Sequence, residues 1–98
     1  MEKRPVKSLL RTKPGICFLC RRRGPTELHH IYEGSRRAVS DENGFVVYLC
    51  PLCHREGENA VKKNAGVARQ LKTYCQRLYE TKTGSRDDWM RLIGKNYL

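Results

Sequence analysis

A chain of 98 residues makes one domain with a marginal core, so a staple is expected to supplement it. Twenty Lys/Arg stand against ten Asp/Glu, a net charge of +10 that points to a polyanionic partner, most simply nucleic acid. No apolar run is long enough to span a bilayer, and the opening "MEKRPVKSLLRTKPG" lacks the continuous apolar segment of a secretory signal, which leaves a cytoplasmic reading without membrane contact.

Residues 1–15 carry five Lys/Arg, two prolines and a glycine, and read as a flexible basic arm ahead of a single domain over 16–98. "ICFLCRRRGPT" reads as a metal knuckle closed by the Gly24-Pro25 turn, and "ELHHIY" as a short strand. The polar stretch 33–44, "EGSRRAVSDENG", reads as a loop. "FVVYLC", β-branched and aromatic, is the clearest strand. From Pro51 the pattern turns helical until "HREGEN" interrupts it at Gly57. Asn64 is placed to cap a longer helix, "AGVARQLKTYCQRLYETK", with Val67, Leu71, Tyr74, Cys75 and Leu78 as its apolar stripe. Ser85 and Asp88 form a capping-box pattern before "RDDWMRLI", which Gly94 closes and whose Trp89, Leu92 and Ile93 face the core.

Cys17 and Cys20 form one CxxC pair and Cys50 and Cys53 another, 29 residues apart. Each turn aims two thiolates at one ion, and two turns complete a tetrahedral zinc shell. In a reducing compartment this is favoured over two disulfides, and a redox role does not explain two pairs. A closed four-cysteine shell holds the fold and leaves no position for chemistry. His54, beside Cys53, is an alternative ligand to it, and Cys75, on the helical stripe, reads as a buried thiol.

The histidines are His29, His30 and His54, all beside the knuckles in sequence. Neighbouring side chains of a regular strand point to opposite faces, so His29 and His30 share one site only at a strand end or bend. A hydrolytic phosphodiester site needs a metal to take charge on the phosphate and a base to activate water, and paired imidazoles can divide those roles.

Together "CFLC", "ELHHI", Asn43 and "LCPLCH" resemble the HNH endonucleases, the ββα-metal nucleases. The likeness is closer to small phage-type HNH proteins, in which a double histidine leads through a Gly- and Arg-containing loop to a "VYLCPxCHR" motif and a helical tail ending like "IGKNYL". It covers residues 16–64 by motif and the tail more loosely. It implies an α+β fold, a small zinc-stabilised ββα-metal, treble-clef-like domain with a helical C-terminal tail. It also implies DNA phosphodiester hydrolysis, by nicking or cutting, in a phage- or prophage-encoded protein of the host cytoplasm, with phage packaging or recombination proteins as possible partners. Position by position, His29 and His54 match the ligands of a catalytic divalent metal (Mg²⁺, Mn²⁺ or Ni²⁺). His30 matches the general base and Asn43 the residue that orients the base or braces the loop. Cys17, Cys20, Cys50 and Cys53 match the structural Zn²⁺ site.

One departure stands out. Relatives carry a further histidine after His54 where this chain has Glu58 or Lys62. Glu58 can ligate a hard metal; Lys62 cannot, but can steady a phosphate. Arg21, Arg22, Arg23, Arg36 and Arg37 are the other candidate phosphate contacts. The rival reading is a catalytically weak or inactive zinc-stabilised module that binds nucleic acid, favoured by Lys62 and opposed by the intact histidine set.

Overall fold

The computed structural model describes residues 8–98. In chain order it contains strand β1 (Glu27–His30), a 3-10 turn (Gly34–Arg36), helix α1 (Arg37–Asn43), strand β2 (Val46–Leu49), one π-helical turn (Leu52–Glu56), α2 (Ala65–Lys82) and α3 (Arg86–Ile93). The molecule is a small α+β domain with a two-stranded antiparallel sheet. No helix among the described residues is long and apolar enough to cross a membrane.

The run "FVVYL" forms β2 because its β-branched and aromatic side chains suit a pleated, buried surface. Phe45, Val46, Val47 and Leu49 are fully buried, so both faces of this strand are covered. The register pairs Glu27 with Leu49, Leu28 with Tyr48, His29 with Val47 and His30 with Val46. His30 is therefore the last paired residue, and the chain bends immediately after it.

The other edge of β2 is covered by residues that the sequence reading assigned to the basic arm. The Ser8 hydroxyl donates to the Val46 carbonyl (2.5 Å), the Leu9 N–H to the Gly44 carbonyl (2.8 Å), and the Tyr48 N–H to the Thr12 hydroxyl (3.3 Å). Leu10 is buried in the core. The arm expected over 1–15 thus packs from residue 8 onward, because the strand's free N–H and C=O groups need partners; residues 1–7 lie outside the described residues.

The loop expected over 33–44 is also corrected: it holds the 3-10 turn and α1. Its anchor is Ser40, fully buried, whose hydroxyl donates to the Tyr32 carbonyl (2.8 Å) and accepts from the Tyr32 N–H (3.2 Å). Gly44 ends α1 in the left-handed conformation at φ 75°. After Pro51 the helical pattern makes only the π-turn, closed by the Gly57 N–H donating to the Leu52 carbonyl (2.9 Å). Gly57 is required there, since a Cβ would lie 2.7 Å from the Leu52 oxygen.

Helix α2 begins at Asn64, whose side chain accepts from the Gly66 and Val67 N–H groups (3.0 and 3.2 Å). Its stripe is shifted from the expected one: Leu71, Cys75, Gln76 and Tyr79 are buried, while Tyr74 is half exposed. Helix α3 carries the Ser85/Asp88 capping box and ends at Gly94, φ 79°. It delivers Trp89 into an aromatic cluster with Tyr32, Phe45 and Tyr79, ring centroids 5.2–5.4 Å from the indole. The Trp89 indole N–H donates to the Lys95 carbonyl (2.9 Å). Buried Gln76 is satisfied by Glu80, Asn96 and the Tyr97 N–H. Tyr32, two residues past the histidine pair, fastens this cluster to helix α2 through its hydroxyl, which donates to the Lys72 carbonyl (2.6 Å).

Candidate functional site

Two clusters of chemistry-bearing side chains lie along the hairpin. The first is the cysteine set. The Sγ atoms of Cys17, Cys20, Cys50 and Cys53 all lie within 4.8 Å of one another, which suits a structural metal ion such as zinc. A tetrahedral shell with Zn–S of about 2.3 Å has edges of about 3.8 Å; the Cys20 and Cys50 sulfurs are 3.8 Å apart. The two knuckles meet because the first is fastened to β2, the Phe18 N–H donating to the Tyr48 carbonyl (2.9 Å). Burial pushes the Cys17 thiol up, but N–H donors from Cys20, Cys50 and Leu19 outweigh it and bring the thiol down to about 6. Burial and the neighbouring thiols push Cys53 the other way, up. Among the described residues this is the one set of three or more His, Cys, Asp or Glu with ligand atoms so close; His54 is not part of it. Cys75 lies apart, fully buried in the core.

The second cluster is an open pocket of about 410 Å³ lined by Leu28, His29, His30, Glu33, Gly34, Arg37, His54 and Lys62. Strand β1 supplies the histidine pair, and the strand end after His30 lets both reach one pocket. The π-turn supplies His54, whose ring meets that of His29 edge-on at 5.2 Å between centroids. The Lys62 N–H donates to the His54 carbonyl (3.1 Å), which sets Lys62 on the same wall.

Each histidine has a different environment. His29 is 6% exposed, and its Nδ1 is buried without a hydrogen-bond partner. Burial, then the nearby His54, hold its pKa down at about 4, so the ring is neutral at pH 7. His54 Nδ1 lies 2.7 Å from Glu27 Oε1. Arg55, donating to both Glu27 oxygens, and then His54 hold that carboxyl down at about 2. Glu27 is therefore an acceptor and His54 donates through Nδ1–H; in the neutral form of that ring the lone pair lies on Nε2. Metal-binding histidines are oriented in this way by a carboxylate behind them. His30 Nε2 lies 3.1 Å from Asp41 Oδ1; in the neutral tautomer that donates Nε2–H to this carboxylate, Nδ1 carries the lone pair. Glu33 bonds the Lys62 ammonium and lies 3.8 Å from His29 Nδ1. Burial pushes Glu33 up, but Lys62 outweighs it and leaves the carboxyl below its ordinary value.

The structure brings together His29, His30, His54, Arg37 and Lys62. It does not bring Asn43 to them. The Asn43 amide donates to the Val39 carbonyl (2.9 Å) at the end of α1, beside Ser8, Leu9, Arg11 and Lys82. It braces the segment, and Asp41 takes the place beside His30. Glu58 is exposed and outside the pocket. Arg36 donates to the Ile93 carbonyl (2.9 Å) and fastens α3. Arg21 lies over the Phe18 ring at 5.0 Å, and Arg22 and Arg23 are exposed. Sequence reasoning missed Glu27, Glu33 and Asp41. No sequence signal marks them: it is the antiparallel register, in which Glu27 opposes Leu49 one residue before the knuckle that carries His54, that sets Glu27 there. Comparison of the chain with known protein families, curated proteins and solved structures found no match.

Proposed function

We propose that this chain is a metal-dependent HNH-type endonuclease that hydrolyses DNA phosphodiester bonds, built on a ββα-metal, treble-clef-like scaffold held by zinc. The observation that carries the reading is the division of labour in the pocket: one neutral buried imidazole with an unpartnered nitrogen, one imidazole braced from behind by a carboxylate, and one imidazole hydrogen-bonded to Asp41. The first two, His29 and His54, are the residues to hold a divalent metal, and their donor set suits transition metals as well as magnesium. Such an ion would supply Lewis-acid stabilisation of charge on the scissile phosphate and the departing oxygen.

The chain's own residues do the rest. His30 takes the proton from the attacking water through Nδ1, and Asp41 holds its ring and steadies the imidazolium that forms. Arg37, on the pocket wall, meets the substrate phosphate. The wider basic surface supplies affinity for the backbone that weakens with salt. Nothing in this arrangement reads base edges, so the domain acts with weak sequence preference.

The second reading, a module that binds nucleic acid without cutting it, draws support from one specific contact, the Glu33–Lys62 ion pair, which sets an ammonium in the pocket. Supercoiled plasmid separates the two. Zinc-loaded protein with Mg²⁺, Mn²⁺ or Ni²⁺ is expected to nick the plasmid, EDTA to stop it, and His30→Ala to remove cleavage while keeping salt-sensitive binding. Binding without cleavage under every metal would replace the enzyme with the module.

A further inference from the structure

Two features of the histidine pocket take no part in activating water: the partnerless buried Nδ1 of His29, and the ion pair between Glu33 and Lys62. We propose that Glu33 is a third ligand of the divalent ion held by His29 and His54, and that the Lys62 ammonium is an internal placeholder which an incoming ion displaces. This rests on the metal-dependent reading of the pocket.

Glu33 stands just after the bend that follows His30, at the head of the 3-10 turn, which faces its side chain toward the pocket. Its Oε1 lies 3.8 Å from His29 Nδ1. That is too far for a hydrogen bond. It is also short of the roughly 4.2 Å that two donors can span when each sits about 2.1 Å from one ion. A cation between them would satisfy both the orphaned imidazole nitrogen and the carboxylate. A carboxylate oxygen added to two imidazoles makes a mixed set suited to Mn²⁺ and other first-row divalents.

The same Oε1 already carries a cation, since Lys62 Nζ bonds it. The Lys62 backbone is fixed by its N–H on the His54 carbonyl, so the ammonium is delivered from the side of the second histidine. The ammonium and a divalent ion cannot share one oxygen at close range without strong repulsion. The pair is also exchangeable, because its side chains are 41% and 48% exposed and an exposed ion pair holds weakly. Among the described residues, His29, His54 and Glu33 do not form a ligand cluster as tight as the cysteines. Displaced, the Lys62 head group stays at the pocket wall with Arg37, free to meet a phosphate oxygen.

The test is Mn²⁺ binding to the zinc-loaded full chain, read from the spectroscopic signal of free Mn²⁺ in electron paramagnetic resonance, without DNA. Zinc content and circular dichroism of each variant verify that the exposed substitutions leave the fold intact. Glu33→Gln is expected to weaken Mn²⁺ binding at least tenfold, and Lys62→Gln to strengthen it several-fold or more. A native chain that binds no Mn²⁺ beside a Lys62→Gln variant that binds one ion supports the placeholder. His29→Ala, which removes the orphaned nitrogen, reports on the underlying reading. If it abolishes binding while Glu33→Gln or Lys62→Gln leaves the affinity unchanged, or Lys62→Gln weakens it, the proposal falls and the two-histidine site stands. If neither the native chain nor Lys62→Gln binds Mn²⁺, both fall together.

Discussion

His54 shows how far a single side chain depends on its surroundings. Its Nδ1–H is held by Glu27, and Glu27 by the guanidinium of Arg55, so a chain of charge-assisted hydrogen bonds aims the opposite nitrogen at the pocket. Removing the charge behind the ring is expected to cost the metal rather than the fold. Glu27→Gln should lower divalent-metal affinity about 10- to 100-fold, the range for partners that orient ligating histidines. Isothermal titration of the zinc-loaded protein with Mn²⁺ measures this, and an unchanged affinity would show that His54 needs no orientation from Glu27. Asp41 stands in the same relation to His30 as Glu27 to His54. Neither carboxylate was legible in the sequence: strand register and the fold of a polar segment decide which acids fall beside which histidines. Asn43 stands apart from both pairs. It fits the motif in spacing, but helix α1 directs its amide to Val39, away from the histidines.

At the scale of elements, local signals account for what could be read in advance. Helix α2 and helix α3 follow their caps and periodicity because a side chain on the first N–H groups, or a glycine at the end, acts within a few residues. Helix α1 was not legible. "RRAVSDEN" has almost no apolar face, and its order comes from a buried Ser40 bonded to Tyr32, a contact formed only in the folded chain. The buried course of residues 8–12 was hidden for the same reason, since it is the edge of β2 that orders them. Tyr74 was placed on the wrong face because residues flanking a helical stripe are assigned by small differences in angle. The capping box gives a direct test. Ser85→Ala should cost about 1 kcal/mol by chemical denaturation. Backbone and side-chain bonds from Ser85 lower the Asp88 carboxyl below its ordinary value. A carboxyl depressed in the folded state stabilises above its unfolded pKa of about 3.9 and loses that stabilisation as pH falls through the folded value. Melting temperature should therefore fall on the acid side of pH 4, and Asp88→Asn should flatten that limb. An equal acid limb in the variant would assign it to other carboxylates.

For the molecule as a whole, the four cysteines join segments that the chain separates by 29 residues, and the hairpin bearing His29 and His30 lies between them. The domain is small, so a metal held there carries a large share of its stability. Structural zinc binding is worth about 10–16 kcal/mol, comparable to or above the net stability of an ordinary domain. Stripping zinc with a strong chelator is expected to remove the cooperative thermal transition seen by circular dichroism. A transition that survives at the same temperature would leave the aromatic core around Trp89 as sufficient. The paired CxxC turns made the scaffold legible from the start, and the histidines the pocket. Charge could say only that the surface is basic: in the fold, Arg36 fastens a helix and Lys62 pairs with Glu33, while Arg37 stays on the pocket wall.

Cys75, on the buried face of helix α2 with burial pushing its thiol up to about 12, has a use at the bench. The thiolate is the reactive form, so this sulfur is silent toward alkylating reagents while the core is closed. A bound metal would guard the knuckle sulfurs by coordination, whereas Cys75 is guarded by packing. Counting reacted thiols by mass then distinguishes three preparations: none for metal-loaded protein, up to four for protein that has lost its ion but kept its core, and five only for chains that have opened.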